Sequence, residues 1–126
     1  MLPDRRAHAT LPVSDLETAR IFYEQTLGFR PIRENPAAIL YGAGDGTAFA
    51  IARSGGKAVG SFTQVGFAVD DVEREVRELQ ARGVVFEEYD MPGLKTTDGV
   101  ATTPAGRAAW FKDPEGNVLG LIEFGE

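Results

Sequence analysis

The chain has no cysteine, so disulfides, thiolate nucleophiles and cysteine-bound metals are excluded, and no thiol reports on redox compartment. Histidine is nearly as scarce: His8 stands alone, and any imidazole acid-base or metal chemistry has one residue to draw on. No apolar run approaches bilayer-spanning length, and the opening MLPDRRAHAT lacks the apolar core of a signal peptide. The expectation is therefore a cytoplasmic protein with no membrane partner. Basic clusters are missing too. Arginines lie scattered among acids in a chain of net charge -6, without the phosphate-neutralising stripe that nucleic-acid binding needs.

What is there is ordinary: 126 residues, 43% hydrophobic and 25% charged, fit one globular domain able to build a core without staples. Small molecules and other proteins are left as partners.

The chain is internally duplicated. His8 to Phe29, HATLPVSDLETARIFYEQTLGF, overlays Gln64 to Val84, QVGFAVDDVEREVRELQARGV, at a constant shift into the helix. Each copy runs strand, acidic cap, amphipathic helix, glycine stop. In the first, Ser14 and Glu17 have the spacing of a capping box, and Leu16, Ala19, Tyr23 and Leu27 recur at helical intervals before Gly28. In the second, Asp70 or Asp71 caps, Glu73 supports the start, and Val72, Val76 and Leu79 form the buried stripe before Gly83. The charges of EREVRELQAR make a solvated face with Glu73–Arg77 and Glu78–Arg82 pairings.

Strands are expected after each helix: residues 29–33, 37–41 and 47–52 in the first half, 84–89, 107–112 and 117–124 in the second. Turn chemistry at Glu34-Asn35-Pro36, Gly44-Asp45-Gly46 and Asp113-Pro114-Glu115-Gly116 separates them, and backbone demands alone explain Asp113, Pro114 and Gly116. The expected domain is one unit, 1–126: module one over 5–53, a glycine-rich connector over 54–61, module two over 62–126. Residues 90–106 read as a long irregular segment, either a lid or flap or a tolerated insertion. Gly120 is out of place in the apolar strand NVLGLIEF, because glycine weakens a strand and marks close approach.

Two tandem strand-helix-three-strand modules, with DLETARIFYEQTLGF in the first and WFKDPEGNVLGLIEF in the second, resemble the vicinal oxygen chelate superfamily, which includes glyoxalase I, extradiol dioxygenases and bleomycin resistance proteins. The likeness runs from His8 to Phe124. It implies an α+β fold of tandem βαβββ modules, each curling its sheet into a half-open barrel, and a homodimer or a paired chain enclosing a cleft. It also implies where metal-using relatives hold an ion: the first-strand positions fall on His8 and Gln64, the last-strand positions on Ala50 and Gly120, where the family pattern wants carboxylates.

Strand alternation groups Ala48, Ala50 and Ala52 on one face and Val118, Gly120 and Ile122 on another, while Glu123 points away. Trp110 falls beside Gly120 and either stacks on a planar ligand or fills the glycine's hole; Phe62 shares the face of Gln64. Two readings follow. One is a metal-free binding protein of resistance or sequestration type, with an apolar cleft for a small apolar or aromatic molecule lined by His8, Ala50, Phe62, Gln64, Trp110 and Gly120. The alternative is an enzyme, a glyoxalase-like lyase or isomerase or a dioxygenase, using His8 as its catalytic residue with a divalent metal ion.

Overall fold

In the computed structural model, residues 1–55, 62–104 and 106–124 are described; most of the connector 54–61 lies outside them. The first module is β1 (Ala9–Val13), α1 (Leu16–Ile21), β2 (Arg30–Asn35), β3 (Ala38–Gly42) and β4 (Ala48–Arg53). These form a four-stranded sheet in the order β1-β4-β3-β2, with β1 and β4 parallel. The second contains β5 (Thr63–Ala68), α2 (Val72–Ala81), β6 (Asp90–Met91), β7 (Leu94–Thr97), β8 (Val100–Thr103), β9 (Gly106–Lys112) and β10 (Val118–Phe124). Its sheet order is β5-β10-β9-β8-β7-β6. Each module begins and ends on a parallel pair, β1 with β4 and β5 with β10, which is the duplication made physical.

The helices form where the spacing predicts, with one change of cap. Asp15, one residue after Ser14, is the N-cap of α1: its carboxylate accepts from the backbone N–H of Thr18 at 3.1 Å and from the Thr18 hydroxyl at 2.8 Å. Ser14 is taken by the other module, its N–H and hydroxyl both donating to Glu115 at 2.9 Å. Helix α1 widens into a π turn over Phe22–Thr26 and ends at Gly28, whose φ of +87° suits glycine. Asp71 is the cap of α2, and Glu123 accepts from the N–H of Val72 at 2.9 Å, tying the last strand to that helix. Glu73 pairs with Arg107 of β9 and not with Arg77, while Arg82 donates to the Thr26 carbonyl, joining the two helix ends.

Two strand expectations need correction. Residues 84–89 do not form a regular strand; their backbone pairing with β9 is an isolated Phe86–Phe111 bridge and the Glu87 N–H to Trp110 carbonyl bond at 2.8 Å. Most of residues 90–106 is not irregular. It folds as β6, β7 and β8, turning at Pro92-Gly93 and at Asp98-Gly99, with φ of +52° and +81° at the latter pair. Positive φ at both central residues is the hairpin turn that Asp-Gly favours.

One core unites the halves. Leu11, Val13, Ile39, Tyr41, Phe49 and Ile51 of the first sheet meet Leu119, Leu121 and Phe111 of the second around Tyr23, Val72 and Val76 of the helices. Phe29 and Phe67 bridge the modules with ring centroids 5.5 Å apart. Both sheets therefore turn one face to the helices and leave the other outside the core.

Candidate functional site

That second face carries many small residues among a few large ones. Register places Thr10, Ala50 and Leu40 side by side in the first sheet, with Gly42 paired to Ala48 and Ala38 to Ala52. In the second sheet Gly66, Gly120 and Trp110 lie in one row, and Ala68, Ile122 and Ala108 in the next. Larger apolar side chains stand at the margins. Ile32, over Gly42, is 61% exposed, and Phe124, two steps beyond Ile122, is 66% exposed.

Gly120 is where the close approach occurs. A Cβ built there would stand 3.1 Å from Thr63 Cγ2, 3.3 Å from Trp110 Cδ1 and 3.4 Å from Trp110 Nε1. The indole and Thr63 already occupy the space a side chain would need. The indole N–H donates to Thr63 Oγ1 at 3.0 Å, and Tyr89 meets the ring edge-to-face at 5.7 Å and 74°. Trp110 is half-buried, fixed on both flanks and still open to solvent.

Thr63 reaches this row through a β-bulge that strict alternation does not anticipate. The β5–β10 register slips between Val118 and Leu119, so Thr63 pairs with Val118 and Val65 with Leu119, leaving Gln64 as the extra residue. The Gln64 side chain then completes the ladder itself, accepting from the Val118 N–H at 3.1 Å. Phe62, next to Thr63, is 77% exposed. Thr63, Tyr89, Ile32 and Phe124 are thus neighbours of the site that a residue-type search passes over; of these only Phe124 carried a signal, lying on the period-two row of Gly120.

The residues at the four family metal positions do not fit an ion. Ala50 and Gly120 bring no donor, the Gln64 oxygen is engaged by backbone, and His8 lies exposed one residue ahead of β1. Among the described residues no group of three His, Asp or Glu is arranged to hold a metal.

Acidic chemistry is spent on structure. Asp113 is buried; its Oδ1 accepts from the N–H groups of Glu115 and Asn117 at 2.9 Å, its Oδ2 from Tyr23 Oη and Asn117 Nδ2 at 2.8 Å. Asn117 Nδ2 also donates to the Pro12 carbonyl at 2.9 Å, so this turn rivets the end of β1 to the second module. Burial, then the Asp113 charge, pushes the Tyr23 hydroxyl far above the ordinary phenol range; burial and Glu24 push up Tyr41, and burial and Glu87 push up Tyr89. These are all three tyrosines of the chain. Because each folded-state value is raised, the stability they contribute is full below the unfolded tyrosine value, about 10, and is lost as pH rises beyond it. Half-exposed Tyr89 alone should therefore contribute tyrosinate absorbance while the protein is folded, and that of the buried Tyr23 and Tyr41 should appear together with loss of the circular dichroism signal. Ionisation of all three tyrosines in still-folded protein would refute this burial scheme.

Two concavities flank these features. A cavity of about 400 Å3 opens where the start of β4 meets β5, lined by Ala43, Thr47, Ala48, Gly66 and Ala68 among others. A larger groove, about 1090 Å3, lies on the helix side of the second sheet between α2 and the β7–β8 hairpin. Its acids Glu73, Glu88 and Asp98 are matched by Arg77, Lys95 and Arg107, which leaves no net charge to select a charged ligand. Among the described residues no helix is long and apolar enough to cross a membrane.

Comparison with known proteins agrees with this architecture. No curated protein sequence matches. Among solved structures, TnmS3, an antibiotic binding protein from Streptomyces sp. CB03234, is 30% identical over 99% of each chain with a TM-score of 0.73. A glyoxalase/bleomycin resistance protein from the same organism is 32% identical over 94% of this chain and 100% of its own, with a TM-score of 0.67. The bleomycin-binding protein of bleomycin-producing Streptomyces verticillus, solved with copper(II)-bleomycin, is 28% identical over the full length of both chains, with a TM-score of 0.75. A family model covers residues 5–121. The chain belongs to the Glyoxalase/Bleomycin resistance protein/Dioxygenase superfamily, the vicinal oxygen chelate group that its duplicated modules resemble.

Proposed function

We propose that this chain is a small-molecule binding protein of sequestering, resistance type, holding an apolar or aromatic organic ligand without a metal ion of its own. The observation that carries this reading is Gly120 beneath Trp110: the slot where metal-using relatives present a carboxylate holds an indole. Ala50 makes the matching loss in the other half, and neither His8 nor Gln64 compensates. The cleft is completed by a second copy in a homodimer, which accounts for the exposure of Ile32 and Phe124 at the margins of an otherwise apolar face. That solved relatives are named as binders of antibiotics and of bleomycin supports the same class of ligand.

A single tryptophan makes the test simple. With chelator present throughout, titration with metal-free bleomycin and with a panel of apolar aromatic compounds should change Trp110 emission saturably for at least one of them. Flat titrations across the whole set, followed by ligand binding or turnover once a divalent ion is supplied, would overturn the proposal.

A further inference from the structure

The second sheet is wider than the helix laid on it. Helix α2 packs on β9 and β10, while β8, β7 and β6 carry the sheet further out, and the groove of about 1090 Å3 opens between the helix and these outer strands. Its walls keep opposite charges apart. Register sets Lys95, Thr102 and Arg107 in one cross-strand row, on the face opposite to Trp110. Arg107 is bound to Glu73, whereas Lys95, and Arg77 on the helix wall, make no side-chain hydrogen bond or ion pair among the described residues. The acids gather at the other end, around the Asp98-Gly99 turn. Buried Thr96 donates its hydroxyl to Glu88 Oε2 at 2.9 Å, which fixes that carboxylate. A Cβ at Gly99 would stand 3.1 Å from Phe86 Cβ and 3.7 Å from Glu88 Oε1, so glycine lets the turn close down beside Glu88. Asp98, at φ +52°, brings a second acid with no side-chain partner among the described residues. Val100, one step from the Lys95 row towards the turn, and Val76 line the stretch between.

We infer that this groove is a second binding site, for a short apolar peptide with free termini, its ammonium against Glu88 and Asp98 and its carboxylate against Lys95. Charges that sum to zero give little pull on an anion or a cation alone, but held apart they align a ligand that carries both. Lys95 and Asp98 are three residues apart along an extended strand, a span of roughly 10 Å, which is also the length of an extended tripeptide. The site lies on the opposite face of the sheet from the cleft proposed above, so the two stand or fall separately.

The test titrates isotope-labelled protein at low salt with alanyl-valyl-alanine and with the same tripeptide acetylated at its N-terminus, amidated at its C-terminus, or both. The free peptide should shift amide resonances of residues 97–102 and leave the indole N–H resonance of Trp110 unmoved. It should bind about tenfold more tightly than the doubly capped form, about threefold from each end, the size of an exposed charge pair. Lys95→Gln should weaken peptides with a free carboxylate about threefold and leave amidated ones unchanged. Asp98→Asn, with a side chain that tolerates positive φ, should likewise weaken only peptides with a free ammonium. Both side chains are exposed, and melting temperatures near wild type should separate their charge effects from folding. Equal affinity for free and doubly capped peptide, losses in the variants that ignore the matching cap, shifts at Trp110 in place of the groove, or no shift by any form at millimolar concentration would each overturn the inference.

Discussion

Asp113→Ala is expected to destabilise the protein by about 3–5 kcal/mol, lowering the melting temperature by roughly 10–20 °C for a chain of this size. The reason lies in what the carboxylate leaves behind. Its oxygens accept from two backbone N–H groups, the Tyr23 hydroxyl and the Asn117 amide, in a site where Asp113 and Asn117 are almost fully buried. Removal orphans four donors at once, and unpaired buried donors cost more than the average hydrogen bond gains. Water entering the vacated volume offsets part of the loss. Tyr23→Phe, which deletes one of the four donors and leaves the others in place, should cost only about 1–2 kcal/mol. Thermal and urea unfolding followed by circular dichroism measure both; an Asp113→Ala loss no larger than that of Tyr23→Phe would contradict the idea that this turn locks the modules together.

Trp110→Ala should weaken binding of an aromatic ligand by about 2 kcal/mol or more, roughly 30-fold, as expected for a central aromatic anchor, with a smaller effect on stability because the ring is only half-buried. Gly120→Glu is the more revealing partner substitution. It restores the family's carboxylate, yet its Cβ would enter at 3.1 Å from Thr63 and 3.3 Å from the indole, so the ring must shift. The overpacking should cost about 1–3 kcal/mol, and ligand affinity should fall about as far as in Trp110→Ala. Fluorescence titration and urea unfolding of the two variants check these outcomes. Full ligand affinity in Gly120→Glu would mean that the ligand sits elsewhere.

The duplication, both helices and their buried stripes were legible because helical periodicity and glycine stops are local signals, and Leu16, Ala19, Tyr23, Val72 and Val76 are buried as that periodicity requires. Glu123 turns away from the Gly120 face to the N-terminus of α2, as period-two alternation requires once pairing has begun. The cap of α1 shifted to Asp15 because a distant group, Glu115, competes for Ser14. Likewise, local spacing could not reveal that Glu73 prefers Arg107, which lies in another strand. The β7–β8 hairpin had a sequence signal in Asp98-Gly99, masked by short flanking strands rich in threonine.

At the site itself, Trp110 beside Gly120 followed from hairpin register across the Asp113 turn. What stayed hidden was the bulge at Gln64. Its cause is not a residue type but the pairing of β5 with β10, two strands some fifty residues apart, and it moves Thr63 into the row while tying up Gln64. A single slipped residue therefore changes which side chain holds the tryptophan.

We propose that aromatic carbon has replaced ion coordination in this cleft. Metal content decides it: the protein, incubated with excess nickel, zinc, manganese or iron(II) and then desalted, should retain none of them above background. One ion held per chain, and released by His8→Ala, would contradict the claim.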